Sequence, residues 1–233
     1  MNISRWLATG FLGLAVSLPS FAGKSDDTLN VAFSGEIATL DNYRETGREG
    51  LIVARLIYDS LLSRDVASGE FLPELASSYT YVDDKTLDLE IRKNVRFHNG
   101  QALTADDVVY TLNLVSSKQY AARYQIAVTW IDKVEKLGDF KVRIRMKAPY
   151  PPALEMLAGN LPIYPKSYYE QVGPEGMSTK PVGAGAFVFD HYTRDAELVL
   201  KKSPTYWNAA NVNLAGIQFV KVDKKPFYDA TAP

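Results

Sequence analysis

Between Leu87 and Phe97 apolar side chains recur with a period of two: Leu87, Leu89 and Ile91, then Val95 and Phe97, with Asp88, Glu90, Arg92 and Arg96 between them. That period puts one face of a strand in a core and the other in water. Asp83-Asp84-Lys85 predicts a hairpin turn back to a strand around Tyr79–Val82. Asn99-Gly100 marks a second turn. Thr104 stands three residues before Asp107, the spacing of a capping box at a helix start. Asp106 and Asp107 also suit the positive end of that helix. Val108, Val109, Leu112 and Val115 then line one helical face.

The rest of the chain reads in the same way. Leu29–Phe33 alternates and predicts a first strand, followed by a loop over Ser34–Asn42. Gly50–Leu62 is densely apolar and predicts a buried helix, with Leu51, Ala54, Ile57, Tyr58 and Leu61 inside. Val66–Glu70 is a turn around Gly69, and Ser117–Tyr124 is irregular. Ile131–Leu137 and Lys141–Met146 read as strands joined at Gly138-Asp139. Short helices are predicted over Ala153–Ala158 and Lys166–Val172, with Leu161–Pro165 extended between them because each Pro restricts its predecessor. Strands follow at Phe187–His191, Glu197–Lys201 and Ile217–Val222, with a turn over Pro204–Asn208 that buries Tyr206 and Trp207. Many short strands with few long helices give a mixed α/β or α+β class.

Composition adds exclusions. The 233 residues are 46% hydrophobic and carry a formal net charge of −1, so no basic field points to nucleic acid. There is no cysteine, which removes disulfides, thiol catalysis and thiolate metal sites. Arg5, the apolar stretch Trp6–Leu18 and Ser20-Phe21-Ala22 before Gly23 have the layout of a cleaved secretory signal. Without a cysteine at the cleavage point, the expectation is a chain free in the periplasm, not a lipoprotein.

Catalytic chemistry finds little support. His98 and His191 are the only histidines, and neither has a serine or a spaced carboxylate that would make a triad. Asp83-Asp84 and Asp106-Asp107 are explained by turn formation and helix capping. Gly183-x-Gly185 lacks the third glycine and the following helix of a dinucleotide fingerprint. No enzyme activity, cofactor or metal is expected.

Four segments together resemble one family. They are Thr39-Leu40-Asp41, the Leu75–Asn113 block with Val95-Arg-Phe-His-Asn-Gly100, Ala148-Pro149-Tyr150, and Pro181–Phe187 followed by Pro204-x-Tyr206-Trp207-Asn208. The chain is similar to extracellular solute-binding proteins, family 5, the receptors of bacterial ABC importers for peptides, nickel and oligosaccharides. The resemblance implies the first lobe of a two-lobed, type II periplasmic binding fold. It assigns 1–22 to the signal peptide, 23–50 with 181–222 to the lobe core, 51–180 to an inserted subdomain and 223–233 to a divergent tail. After Val222 the sequence leaves the family pattern, so a truncated chain without the second lobe is expected, unable to enclose a ligand alone.

The implied function is solute binding, with peptides as the first reading. Another solute (metal chelate, opine or oligosaccharide) and a one-lobe scaffold outside transport are the alternatives. The implied partners are the ligand and a membrane permease with its ATPase, with the receptor a monomer. Glu36, Ile37, Tyr124, Gly185 and Ala186 match positions that face the ligand cleft in such proteins. By residue type alone, Glu36 is a solvated loop charge, Tyr124 a core or hinge contact and Gly185 a turn former.

Overall fold

The computed structural model describes residues 27–45, 47–120 and 122–222. The expected signal peptide and divergent tail lie outside the described residues. In chain order the elements are β1 (Thr28–Phe33), α1 (Arg48–Ile57), β2 (Leu62–Arg64), β3 (Phe71–Pro73), β4 (Ala76–Asp83), β5 (Thr86–Ile91) and α2 (Ala105–Ser116). There follow β6 (Ile131–Gly138), β7 (Lys141–Met146), α3 (Ala153–Leu157), α4 (Lys166–Thr179), β8 (Phe187–Thr193), β9 (Glu197–Lys202) and β10 (Gly216–Lys221).

Among the described residues the strands form two four-stranded sheets and a two-stranded ribbon. The first sheet has the order β1-β10-β9-β8, parallel between β1 and β10 and antiparallel elsewhere. The second is an antiparallel sheet with the order β4-β5-β7-β6. Helix α2 packs on this second sheet through β6 and β7, and α1 packs on β8 of the first.

The alternation that opened the sequence reading is realised on β5. Leu87, Leu89 and Ile91 are buried, with Val142 and Ile144 from β7 and Val108, Leu112 and Val115 from α2 in the same core. The outward positions form a charge ladder. Arg143 makes two hydrogen bonds to Asp88 directly opposite, at 2.7 and 2.9 Å. Lys141 pairs with Glu90 at 2.7 Å and Arg145 with Glu135 at 2.7 Å. The exposed Lys141 and Arg145 pairs add little stability each, whereas the Arg143–Asp88 pair is bidentate and partly buried; like charges opposite one another would disfavour this register.

The capping box is present as read. Thr104 N–H donates to Asp107 Oδ2 at 2.9 Å, and Asp106 N–H donates to the Thr104 hydroxyl at 3.3 Å. Asp107 does more than cap: its Oδ1 accepts from Lys166 N–H at 2.9 Å and so joins the starts of α2 and α4.

Helices α1 and α4 differ from the sequence reading. Helix α1 ends at Ile57, short of the expected Leu62, because Tyr58 is extended (φ −120, ψ 137). Ser60 then bridges to Pro162 and Leu62 to Ala158, so apolar residues that continue the helical pattern are spent on long-range pairing. Leu51, read as buried, is 38% exposed, since the buried stripe of α1 runs through Gly50, Val53, Ala54 and Ile57. Helix α4 continues past Val172 to Thr179, with a break at Gly173 (φ 61, ψ −169) ahead of Pro174.

Trp207 and Tyr206 are half-buried where full burial was expected. The Trp207 indole N–H donates to Asp59 Oδ2 at 2.8 Å, and the Arg92 guanidinium lies 4.2 Å above its ring. A carboxylate and a cation thus cover the indole in place of apolar atoms, which leaves part of it in water.

Candidate functional site

Tyr43 ties together three loop segments. Its hydroxyl donates to Pro162 O at 2.6 Å, and its carbonyl accepts from Arg123 N–H at 2.9 Å. Its own N–H donates to Asp41 Oδ1 at 3.2 Å, and the same oxygen accepts the Tyr164 hydroxyl at 2.8 Å. Around Asp41 the aromatic rings are dense: Tyr43 and Tyr164 have centroids 5.2 Å apart, and Tyr58 and Tyr164 5.1 Å. Asp41 is fully buried, and among the described residues its Oδ2 has no hydrogen-bond partner. Burial pushes its carboxyl above the ordinary range, against the pull of the Tyr164 and Tyr43 hydrogen bonds. Burial also holds the Tyr43, Tyr58 and Tyr164 hydroxyls well above their usual pKa, so they remain donors.

In front of this frame is a cavity of about 360 Å³, bounded by the 42–45 loop, α1, the turn at 122–127 and Gly159-Asn160. Its volume is in the range of small-molecule sites. Tyr124, 53% exposed, and Leu51 supply its aromatic and aliphatic surface. Arg55, Asn42 and Asn160 supply polar groups. The guanidinium of Arg55 lies against Gly159, whose φ of +89 requires glycine; a Cβ there would sit 3.7 Å from Cζ. The Arg55 guanidinium, the Asn42 amide and the Tyr124 hydroxyl make no hydrogen bond or ion pair with another described residue. Glu45 also lines the cavity, but its carboxylate accepts from Gly47 N–H at 2.6 Å and Thr39 N–H at 3.3 Å.

The five residues singled out by resemblance do not converge. Tyr124 lines this cavity. Ile37 is buried and lines a separate cleft of about 250 Å³ with Thr39, Ser178 and Tyr192. Glu36 is exposed on the loop after β1, with Arg194 4.0 Å away. Gly185 is buried against α1: its N–H donates to Ile57 O at 2.9 Å, and a Cβ would come within 2.6 Å of the Ile57 carbonyl carbon. Ala186 is half-buried, its carbonyl accepting from Ser203 N–H at 2.9 Å. Missing from the sequence reading are Asn42, Leu51, Arg55 and Asn160. The signal for two of them was available, since positions 51 and 55 share a helical face off the buried stripe.

His98 has the structural role expected of it. Its Nε2–H donates to Gly185 O at 2.9 Å, and its Nδ1 accepts from Gly183 N–H at 3.4 Å. That pairing fixes a neutral ring, and burial lowers its pKa in agreement. A buried acid, Asp59, and the half-buried Glu74 lie behind Trp207. Asp59 accepts from Trp207, Glu74 Oε2 accepts from Ser60 N–H at 3.1 Å, and burial pushes both carboxyls up. Among the described residues no cluster of three or more His, Cys, Asp or Glu could hold a metal.

Known proteins place this geometry in a family. The sequence profile described as bacterial extracellular solute-binding proteins, family 5 Middle, matches residues 70–228. The oligopeptide-binding protein AppA of Bacillus subtilis (strain 168) is 29% identical over 187 residues, covering 68% of this chain and 34% of AppA. Di/tripeptide-binding protein 1 of Pseudomonas aeruginosa (strain UCBPP-PA14) is 26% identical over 197 residues, covering 75% of this chain and 37% of that protein. Among solved structures, the PBP AgaA in complex with agropinic acid, from A. tumefacien R10, superposes with a TM-score of 0.79 at 28% identity, over 87% of this chain and 41% of AgaA. The chain therefore spans little more than a third of the length of these curated relatives, and its mixed α/β architecture is part of a periplasmic binding protein fold. On the match of its residues 70–228, this chain belongs to the bacterial extracellular solute-binding proteins, family 5.

Proposed function

We propose that this chain supplies one wall of the solute site in an ABC importer receptor, with short peptides as the solute. The observation that carries the reading is the cavity beside Tyr124, whose polar groups on Arg55, Asn42 and Tyr124 have no partner within the described residues. Polar side chains grouped around a concave, partly apolar surface are what a ligand of mixed character needs. The names of AppA and of the di/tripeptide-binding protein favour peptides. A second reading is an opine acid, favoured by the agropinic acid held by AgaA.

One exposed wall gives weak binding, because a solute held on one side keeps most of its water. Affinity in this reading comes when a second surface closes over Tyr124. The division into a core of 23–50 with 181–222 and an inserted 51–180 is supported by the first sheet, whose strands come from 28–33 and 187–221. The receptor acts as a monomer, without a cofactor or bond chemistry, and delivers solute to a permease and ATPase in the inner membrane. In this reading the receptor works in the periplasm, as the signal-like segment ahead of Gly23 favours. Glu36, Ile37, Gly185 and Ala186 act as support for the cleft and not as its lining.

Photo-crosslinking tests this reading. A tripeptide carrying a benzoylphenylalanine residue is irradiated with the chain, and the labelled sites are mapped by mass spectrometry. Labels within 122–127 and 159–160, competed by unlabelled tripeptide, are expected. Labels scattered over the surface and not competed would refute the site. Competition by agropinic acid alone would move the solute to the second reading.

A further inference from the structure

We propose that Arg55 binds a carboxylate of the solute, so that the cavity selects compounds with a free acid group. The inference rests on reading the cavity as the solute site. Arg55 is in the last turn of α1, off its buried stripe, and its exposed side chain reaches the cavity. The guanidinium is placed without being neutralised. It lies against Gly159, where a Cβ would be 3.7 Å from Cζ, in ordinary contact, and no carboxylate of a described residue pairs with it. Four other arginines of the described surface, Arg143, Arg145, Arg64 and Arg44, do hold carboxylates, at 3.1 Å or less.

A planar guanidinium with free N–H groups matches a carboxylate in two parallel hydrogen bonds. The acid within the same lining does not compete for it. Glu45 is occupied by the backbone N–H groups of Gly47 and Thr39 and makes no ion pair with Arg55. The Asn42 amide and the Tyr124 hydroxyl are left for the neutral polar atoms of the solute. A small solute with one carboxylate and an apolar or amide body meets all of these groups.

The test compares trialanine with its C-terminal amide on the full chain, using dissociation constants from chemical-shift titration of the cavity residues. The wild type is expected to bind the free acid roughly tenfold tighter than the amide, as for one charge-assisted pair. In Arg55→Gln the ratio is expected to fall below about twofold. Arg55→Lys, which keeps the charge and loses the fork, is expected to recover part of the preference. Equal binding of acid and amide by the wild type would overturn the role of Arg55 and leave the cavity as a solute site. A preference retained in Arg55→Gln would overturn it in the same way. Absence of saturable shifts at the cavity with either peptide would overturn the solute site together with this inference.

Discussion

The Tyr164 hydroxyl donates a 2.8 Å hydrogen bond to Asp41 Oδ1 across 123 positions of the chain. The other carboxyl oxygen of Asp41 has no partner among the described residues, so this bond and the Tyr43 N–H are what hold a buried acid in place. Asp41 in turn sets the loop from which Tyr43 reaches Pro162 and Arg123. A hydroxyl removed from the interior is therefore felt at the cavity.

Tyr164→Phe is predicted to destabilise the fold by about 1–3 kcal/mol, the cost of leaving a buried polar group unmade. The loss should grow with pH. Burial raises the Asp41 pKa and the Tyr164 bond lowers it, so the variant raises it further. The folded state then holds a proton that the unfolded chain releases near pH 4, and stability falls as pH rises. Urea unfolding of wild type and variant at pH 4.5 and pH 8 measures this; an equal difference at both values would contradict it.

The Asp59–Glu74 pair predicts the pH profile of the wild type. Burial raises Asp59 to about 7, and burial with the nearby Asp59 charge raises Glu74 to about 8, both above their unfolded values. Between about pH 4 and pH 8 the folded state therefore binds more protons than the unfolded one. Stability from these groups is fully present below the unfolded pKa values and is lost as pH rises through 7–8, at about 1.4 kcal/mol per pH unit for each excess proton. Asp59→Asn should flatten the profile. Thermal unfolding at intervals from pH 4.5 to pH 8.5 reads it, and a wild-type midpoint that climbs over this span would refute the assignment.

Gly185→Ala is predicted to cost about 1–3 kcal/mol by overpacking, since its Cβ would press on the backbone of Ile57 at 2.6 Å. The same change at Gly100, with nothing within 4 Å of the added Cβ but a φ of +85, should act through backbone strain alone. Denaturant midpoints compare the two. Gly185→Ala should also disturb His98, whose Nε2–H donates to Gly185 O, and its ring resonances report that directly.

What was legible in the sequence follows the range of the interactions. The Thr104–Asp107 cap, the Asp83 turn and the first part of the alternation are local and formed where their residues predicted; the strand stops at Ile91, and Val95 and Phe97 are buried beyond it. The stop of α1 at Ile57 was not legible, because Tyr58 to Leu62 keep a helical apolar pattern while their partners lie at 158–163. Trp207 read as a core residue because nothing nearby in sequence marks Asp59 and Arg92 as its neighbours. The family was legible from separated motifs. The cavity was only partly so: Tyr124 was found, whereas Arg55, one turn after Leu51 on the face of α1 off its buried stripe, was passed over among apolar neighbours, and Gly185 matched a cleft position while packing on Ile57.

The central claim, that the hollow beside Tyr124 takes up a small solute, is tested most directly by mapping amide chemical shifts of the ¹⁵N-labelled chain during titration with dipeptides and tripeptides. The account predicts weak, saturable shifts that cluster at Asn42, Tyr124 and Asn160. Shifts that never saturate, or that gather at Ile37, Thr39 and Ser178 instead, would contradict it.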